Sequence, residues 1–178
     1  MRIIAGRLKG RRVAAPPGLD VRPTSDRLRE TLFNVLADSA QGAHVLDGFA
    51  GTGALGLEAW SRGAASVVFV EQDPRALRAL EANVDACGVA DACTIIRGDF
   101  RTVRVEPPRF DLVLLDPPYS IEDLPAVMER GAGLVAGGGR LVLEHSRRRS
   151  SPEHAGSLMR YRVLVAGDSA LSFYAPRA

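Results

Sequence analysis

The strongest structural signal in the chain is Val45-Leu46-Asp47-Gly48-Phe49-Ala50-Gly51-Thr52-Gly53-Ala54-Leu55-Gly56, in which an apolar strand, a glycine-rich loop and a helix follow one another. Gly51 and Gly53 have no Cβ, so the backbone amides of the loop can approach a bound molecule closely. The next helix, predicted over about residues 54–61, directs the positive end of its dipole at the same point. This order of elements indicates an α/β fold with a ligand site at the loop.

A second apolar run, residues 66–70, ends in Glu71, which lies 20 residues after Gly51. An acid at this distance from the loop is suited to binding ribose hydroxyl groups. The glycine spacing also fits the dinucleotide fingerprint, so the glycines alone leave a nicotinamide-dependent oxidoreductase open. Asp47 favours a different ligand, because a carboxylate there can meet a cationic group but would lie awkwardly beside an anionic pyrophosphate.

A second candidate for chemistry is Asp116-Pro117-Pro118-Tyr119, directly after the apolar run Leu112-Val113-Leu114-Leu115. The run predicts a buried strand of a parallel sheet, which the two prolines end. Ligands of open α/β sheets bind at this carboxyl edge. There the Asp116 carboxylate and the Pro117 carbonyl oxygen can accept hydrogen bonds from an exocyclic NH2 group, and Tyr119 can stack on the base. The alternative is a turn that only ends the strand.

Both segments resemble known motifs. Residues 47–56 resemble the first motif of class I methyltransferases, and residues 116–119 resemble their amine-methylating fourth motif. Three further blocks are similar to one subfamily, the RsmD-type 16S ribosomal RNA guanine-N2 methyltransferases; these are residues 2–6, 22–34 and 53–64. The resemblance runs from Met1 to about Ser146. Gly48 departs from it, since the family usually has a larger residue there.

The resemblance implies S-adenosylmethionine as the cofactor. The residues expected to bind it are Asp47, Phe49, Gly51, Thr52, Gly53, Glu71, Asp99 and Phe100. Glu71 is expected at the ribose, Asp99 at the adenine amine and Phe100 beside the adenine ring. The alternative for the last two is a capping acid and a core aromatic residue. Thr52 stands where the family often has serine and keeps the hydroxyl.

The resemblance also implies a substrate, the N2 amine of a guanine in 16S ribosomal RNA within a small-subunit ribonucleoprotein. The catalytic residues are then Asp116, Pro117 and Tyr119. One alternative is methylation of an adenine N6 or another exocyclic amine in DNA or RNA. A nucleic-acid-binding module with a vestigial pocket is a further one, although the intact acids argue against it. The roles of Glu144 and of Arg147–Arg149 stay open.

Positive charge is concentrated near the start of the chain. The net charge of the chain is +2, whereas residues 1–30 hold eight cations and three acids. A basic segment of this kind favours contact with phosphates. The expected RNA-binding residues are Arg7, Lys9, Arg11, Arg12 and Arg27. The alternative is a solvated charged face.

Length and composition bound the remaining possibilities. A chain of 178 residues with 46% apolar residues fits one domain, with residues 1–40 as an extension of a methyltransferase domain at 41–178. No apolar run is long enough for a membrane span, so a cytoplasmic protein is expected. Cys87 and Cys93 do not cluster with the three histidines, so no metal is expected.

Hydrophobic periodicity predicts the order of elements. A short hairpin is expected at residues 2–6 and 10–14, then a helix at 26–37 capped by Thr24 or Ser25. Strands are predicted at 43–48, 66–71, 93–97, 111–116 and 140–145, helices at 54–62, 74–86 and 122–135, and a final hairpin at 160–165 and 170–174. The expected fold is a Rossmann-like α/β protein with a seven-stranded methyltransferase sheet.

Overall fold

Strands and helices alternate along most of the chain, as the sequence predicts. The computed structural model describes residues 1–16, 26–106 and 109–177. The helices are α1 Asp26–Leu36, α2 Ala54–Ser61, α3 Pro74–Cys87 and α4 Leu124–Gly133. The strands are β1 His44–Asp47, β2 Ser66–Glu71, β3 Cys93–Arg97, β4 Phe110–Leu115, β5 Val135–Ser146, β6 His154–Ala155, β7 Leu158–Ala166 and β8 Ser169–Pro176.

All of these strands belong to one sheet, in the order β3-β2-β1-β4-β5-β8-β7-β6. Strands β1 to β5 pair in parallel, and β8 joins β5 in the antiparallel direction. The Rossmann-like α/β fold is therefore confirmed, and the two-residue β6 adds an eighth strand at the edge. Strand order reverses between β1 and β4, which is the point where open α/β sheets bind ligands.

Local sequence explains where several elements begin. Asp73 accepts hydrogen bonds from the amides of Arg75 and Ala76 and so caps α3, with Pro74 in the first turn. Helix α4 begins at Leu124, two residues later than predicted, because Asp123 caps it. Strand β5 begins at Val135, five residues earlier than predicted, and its pairing with β4 shifts register in the glycine-rich part. The apolar pattern there is too weak to show a strand.

The N-terminal segment differs from the predicted hairpin. The N-terminal arm, residues 1–16, has a single antiparallel bridge between Arg2 and Arg12 instead of two strands. The Ile3 amide donates to the Arg11 carbonyl oxygen at 2.9 Å, so the hairpin path is retained. Regular pairing stops early because the chain turns through Gly6 and Gly10, which have φ of 81° and 82°. The predicted caps at residues 24 and 25 lie outside the described residues.

The N-terminal arm is held on helix α2 by buried polar side chains. Glu58, which is fully buried, accepts hydrogen bonds from the amides of Ile4 and Ala5 at 2.8 and 3.1 Å. Ser61 accepts from the Leu8 amide at 2.9 Å. Apolar residues of the arm and of α1 share one core cluster with the sheet. We therefore propose that residues 1–40 are an extension of the domain formed by residues 41–178.

Candidate active site

A cavity of about 530 Å³ lies at the carboxyl ends of the parallel strands. Its walls come from the loops after β1, β2, β3 and β4 and from the end of β5. The predicted site residues that line it are Phe49, Gly51, Thr52, Glu71, Phe100, Asp116, Pro117 and Tyr119. The fold therefore brings the glycine loop and the Asp-Pro-Pro-Tyr segment to one cavity, although Asp116 comes 64 positions after Thr52 in the sequence.

Glu71 joins the end of β2 to the glycine loop. Its Oε2 atom accepts a hydrogen bond from the Gly51 amide at 2.7 Å. Its Oε1 atom accepts from the amides of Gln72 and Asp73, both at 2.8 Å. The carboxylate is thus fixed in one orientation at the cavity wall, where its remaining lone pairs can accept from ligand hydroxyl groups.

Asp47 lies beneath the loop and is not among the residues that line the cavity. It is 1% exposed, and its Oδ2 atom accepts from the Gly56 amide at 3.0 Å. Its Oδ1 atom has no hydrogen-bond partner among the described residues. Burial raises the pKa of Asp47 to about 7; the Gly56 amide opposes the shift, and the charge of Glu71 adds to it. The role of Asp47 toward the cofactor therefore stays a prediction.

Gly51 and Gly53 have different structural reasons for being glycine. At Gly51, where φ is 55°, an added Cβ would meet nothing within 4 Å. At Gly53, where φ is 84°, it would lie 2.5 Å from the Leu80 Cδ1 atom in the core. The Gly53 amide donates to the Ala50 carbonyl oxygen at 2.7 Å. The missing side chain at Gly53 leaves room for Leu80, and the contact of Gly53 with a cofactor stays a prediction.

Two aromatic residues form one wall of the cavity. The rings of Phe49 and Phe100 are tilted, with centroids 5.1 Å apart. A Cβ at Gly48 would lie 2.6 Å from the Leu115 Cδ2 atom and 2.9 Å from the Phe100 Cε2 atom. The small residue at position 48, which departs from the family pattern, therefore matches the close approach of Phe100 and Leu115.

Asp99 does not line the cavity, although its neighbours Gly98 and Phe100 do. Its carboxylate pairs with Arg101, with the Arg101 Nη2 and Asp99 Oδ2 atoms 2.6 Å apart. The same side chain accepts from the Arg101 amide at 2.9 Å. The turn that brings Arg101 back onto Asp99 explains this orientation. In the structure Asp99 therefore accepts hydrogen bonds within its own turn, and its contact with adenine stays a prediction.

The segment after β4 presents its polar groups to the cavity. Asp116 and Tyr119 are half-buried, and Pro117 is buried. The Tyr119 hydroxyl lies 2.7 Å from the Ser169 Oγ atom, which tethers the tyrosine to the start of β8. Glu144, which is 3% exposed, also lines this cavity. The roles of Asp116, Pro117 and Tyr119 in catalysis remain predictions.

The predicted RNA-binding cations are all exposed. Arg7, Lys9, Arg11 and Arg12 lie on the N-terminal arm, and Arg27 lies on α1. The Arg7 guanidinium stacks over the Trp60 ring, 4.7 Å from its centroid. Trp60 is therefore in part a platform for this cation.

Two other arginines have structural roles. Arg29, one of the eight cations near the start of the chain, is fully buried and forms an ion pair with Asp26 at 2.8 Å. Arg149 donates to the carbonyl oxygens of Ile121 and Glu122, in the loop after Tyr119. Arg147 and Arg148 are exposed. The charged regions predicted from the sequence therefore contain arginines that stabilise the fold.

Several residues of this region carry no recognisable sequence signal. Asn83, on α3, is 3% exposed and bonds to backbone groups of both Ala14 and Thr52. Met1 lines the cavity wall.

Within residues 1–16, 26–106 and 109–177, no group of three or more His, Cys, Asp or Glu residues could hold a metal ion. Nor does that part of the chain contain a helix long and apolar enough to cross a membrane.

The strand order, the glycine loop and the acid at the end of β2 define a class I methyltransferase fold. A sequence model of the family described as Conserved hypothetical protein 95 matches residues 1–175. The chain belongs to this family, that of the RsmD-type ribosomal RNA methyltransferases.

Named relatives agree with this assignment. Ribosomal RNA small subunit methyltransferase D of Escherichia coli K12 is 33% identical over 177 residues, covering 98% of this chain and 89% of that protein. The protein of the same name from Haemophilus influenzae is 42% identical over 123 residues, covering 67% of this chain and 64% of that protein.

Solved structures also agree. The structure of Escherichia coli YhhF superposes with a TM-score of 0.88 at 33% identity, covering 100% of this chain and 98% of that one. The Thermus thermophilus 16S rRNA N2 G1207 methyltransferase RsmC, in complex with AdoMet and guanosine, superposes with a TM-score of 0.70 at 25% identity. That match covers 96% of this chain and 46% of RsmC.

Proposed function

We propose that this protein transfers a methyl group from S-adenosylmethionine to the N2 amine of a guanine in small-subunit ribosomal RNA. The observation that carries the proposal is the meeting of the glycine loop, Glu71 and Asp116 at one cavity. The family and the names of its members support ribosomal RNA as the substrate. We place the activity in the cytoplasm, on RNA within the small-subunit ribonucleoprotein.

The residues present fit S-adenosylmethionine. The cavity volume of about 530 Å³ falls within the range of roughly 300–1,000 Å³ that is usual for small-molecule sites. Glu71 presents a fixed carboxylate for ribose hydroxyls, and Phe49 and Phe100 offer an apolar wall for a ring. Asp47 is a buried acid beneath the loop with one oxygen that lacks a partner among the described residues, and its proposed role toward the cationic part of the ligand requires that oxygen to become accessible from the cavity. When bound, S-adenosylmethionine supplies an electrophilic methyl group on its sulfonium.

Asp116 and the Pro117 carbonyl oxygen then hold the amine of the base. The lone pair of this amine is delocalised into the ring, so the amine is a weak nucleophile. Two hydrogen-bond acceptors that bind both amine hydrogens turn the lone pair out of conjugation with the ring. The lone pair then points at the methyl carbon of the sulfonium. Positioning of this kind can supply up to ~7–11 kcal/mol of the barrier reduction. Asp116 can also take a proton from the amine after transfer.

The basic N-terminal arm provides a surface for the RNA backbone next to the cavity. Its cations are exposed, and its backbone is fixed to α2 by Glu58 and Ser61. Because Met1 of the same arm lines the cavity, RNA held on the arm lies close to the reaction site. A target base that is stacked in a helix must first be turned out of the stack.

Mass-spectrometric mapping of small-subunit ribosomal RNA tests the proposal. A strain that lacks this gene should lose one N2-methylguanosine, and the purified protein with S-adenosylmethionine should restore it. The Asp116→Ala protein serves as the matched control and should not restore it. An unchanged set of modified nucleotides in the deletion strain, or a methyl group restored on adenine or cytosine, would contradict the proposed function.

A further inference from the structure

Glu144 is an acid of the cavity wall that the proposed chemistry has not yet used. It is 3% exposed and lines the same cavity as Asp116. In the parallel pairing of β4 with β5, Leu115 lies opposite Leu143. Asp116 and Glu144 are the next residues of the two strands, so they lie at the same level. Neighbouring strands are about 4.8 Å apart, so the backbones of these two residues lie close together where both residues line the cavity.

Hydrogen bonds fix the backbone that carries these two acids. His145, which follows Glu144, lies with its Nε2 atom 2.9 Å from the Ser172 Oγ atom and its Nδ1 atom 2.8 Å from the Arg149 carbonyl oxygen. The Arg149 guanidinium in turn donates to the Ile121 carbonyl oxygen, in the loop after Tyr119. The end of β5 and the loop after β4 are thus tied together, which holds Glu144 in a constant position relative to Asp116.

The space behind Glu144 is too small for a base. A recess lined by Glu144, Pro117 and Ile121 has a volume of about 10 Å³, which is about the space of one water molecule. A base that meets Glu144 must therefore approach from the main cavity and present an edge to it. That edge is the one next to the amine bound at Asp116.

The edges of the amine-bearing bases differ at this point. In guanine the ring nitrogen next to the amine, N1, carries a hydrogen. The corresponding nitrogens, N1 of adenine and N3 of cytosine, carry a lone pair. An ionised carboxylate only accepts hydrogen bonds, so in that state Glu144 attracts the guanine N1–H and repels the other two lone pairs. Among these three bases, guanine alone presents a hydrogen to an ionised carboxylate both at the amine and at the neighbouring ring nitrogen.

We propose that Glu144 is the specificity-determining residue of the site, accepting a hydrogen bond from N1–H of the target guanine while Asp116 accepts from its N2 amine. The inference rests on the proposed function and deepens it, since it names the group that distinguishes guanine from adenine and cytosine. Pro117 and Tyr119 then position the ring of the base, and Glu144 distinguishes guanine from the other two bases.

The test uses small-subunit ribosomal RNA ligated from synthetic segments, with the mapped target as guanine, 2-aminopurine or 6-thioguanine. The analogue 2-aminopurine keeps the C2 amine, has a lone pair at N1 and lacks the C6 oxygen, whereas 6-thioguanine keeps N1–H and has sulfur in place of that oxygen. We expect the wild-type kcat/KM to fall by roughly a hundredfold or more with 2-aminopurine, because a site built around a donor rejects an analogue without it. The 6-thioguanine substrate should stay within about tenfold of guanine.

The Glu144→Gln protein supplies the second arm of the test. Its amide can donate to a lone pair as well as accept from N1–H, so the preference for guanine over 2-aminopurine should shrink to about tenfold or less. Cofactor affinity should stay near that of the wild type. The inference is overturned if the wild type methylates 2-aminopurine nearly as well as guanine, if it rejects both analogues equally, or if the preference is unchanged in Glu144→Gln. Equal wild-type rates on guanine and 2-aminopurine overturn the inference even if the variant does not fold, and the relaxed preference of Glu144→Gln assigns the recognition of N1–H to Glu144. Failure of the proposed function is distinct, since the guanine substrate itself would then gain no N2 methyl group.

Discussion

The side-chain amide of Asn83 donates a hydrogen bond to the carbonyl oxygen of Thr52 at 2.9 Å, and this bond is buried. The same amide donates to the Ala14 carbonyl oxygen, and the Asn83 Oδ1 atom accepts from the Ala14 amide, each at 2.9 Å. One side chain of α3 therefore holds both the glycine loop and the end of the N-terminal arm. The surface proposed for RNA and the loop proposed for the cofactor are mechanically connected through it.

Replacing Asn83 should weaken both attachments. In Asn83→Ala the Thr52 carbonyl oxygen loses its side-chain donor, and the free energy of unfolding should fall by about 1–3 kcal/mol. We expect the Kd for S-adenosylmethionine to rise by about tenfold, equivalent to ~1.4 kcal/mol. Urea unfolding and calorimetry measure the two effects. Glu81→Ala, at an exposed position of the same helix, is the control, and equal behaviour of the two variants would disprove the connection.

Gly51 and Gly53 should respond differently to the same substitution. Both have positive φ, so alanine costs about 1–2 kcal/mol at either position. Only Gly53→Ala also forces its methyl group against Leu80, which should cost a further ~1–3 kcal/mol. Gly51→Ala places its methyl group in open space beside the cavity, so its main effect should be weaker cofactor binding. Thermal unfolding and cofactor titration separate the two; equal stability losses would contradict the packing argument.

The backbone of the fold could be predicted because its signal is local. Strands β1, β2 and β4 are rich in apolar residues; β1 and β2 end in the acids expected at the carboxyl edge, and Asp116 directly follows β4. The parallel order follows from the alternation of strands and helices. Strand β6 could not be predicted, since two residues carry no periodicity.

Side-chain partners were predictable only where a motif names them. Glu71 was expected at the site and lies there. Glu58 and Asn83 lie on helices, and nothing in their local sequence shows that they face backbone amides of the arm. Arg29 looks like a surface cation until the tertiary fold buries it. These contacts connect residues far apart in the sequence, which periodicity and spacing do not reveal.

Asp47 should make stability depend on pH in an unusual direction. Its pKa in the folded protein is about 7, against an ordinary value of 3.8. The folded state therefore holds the proton more tightly than the unfolded state, so this group stabilises the fold at low pH. That contribution is lost as pH rises from about 4 through 7, on the order of 4 kcal/mol in total.

The Asp47→Asn protein isolates the contribution of Asp47 protonation to the free energy of unfolding. It keeps an oxygen that can accept from the Gly56 amide but has no charge to bury. Denaturant unfolding at several pH values measures the free energy of unfolding of both proteins. As pH rises from about 4 through 7, the wild type should lose stability relative to Asp47→Asn. If Asp47 faces the cationic part of S-adenosylmethionine, wild-type cofactor affinity should also rise as pH increases through about 7, and the variant should show no such rise. Parallel curves for the two proteins would show that Asp47 does not titrate there.

The exposed cations of the N-terminal arm should set the salt dependence of RNA binding. Each neutralised phosphate contributes ~0.7–0.9 to the slope of log affinity against log salt. Replacing four cations of the arm by serine should reduce this slope by about 3 and leave cofactor affinity nearly unchanged; the positions are Arg7, Lys9, Arg11 and Arg12.

A variant with equal loss of charge elsewhere controls for net charge. It replaces four other exposed arginines, at positions 75, 78, 104 and 109. Filter binding of small-subunit ribosomal RNA at several salt concentrations measures both slopes. If both variants lower the slope equally, the arm is a solvated face and the long-range field of the whole protein attracts the RNA.

Asp116 is the residue on which the proposed chemistry depends. Asp116→Ala removes one acceptor for the target amine but leaves Glu71 and the glycine loop in place, because Asp116 follows a different strand. Methyl transfer should fall by at least about a hundredfold, the lower range for loss of a positioned acid or base. Cofactor affinity should change much less. Asp116→Asn keeps a carbonyl acceptor without charge, so it should retain more activity than the alanine variant if alignment of the amine dominates.

Single-turnover transfer to small-subunit ribosomal RNA measures these rates, with Asp85→Ala on the exposed face of α3 as the control. Equal loss in the alanine and asparagine variants would mean that charge or proton acceptance matters more than alignment. Near-normal turnover in Asp116→Ala would mean that the Asp-Pro-Pro-Tyr segment is a structural turn, and the amine-binding role would have to be abandoned.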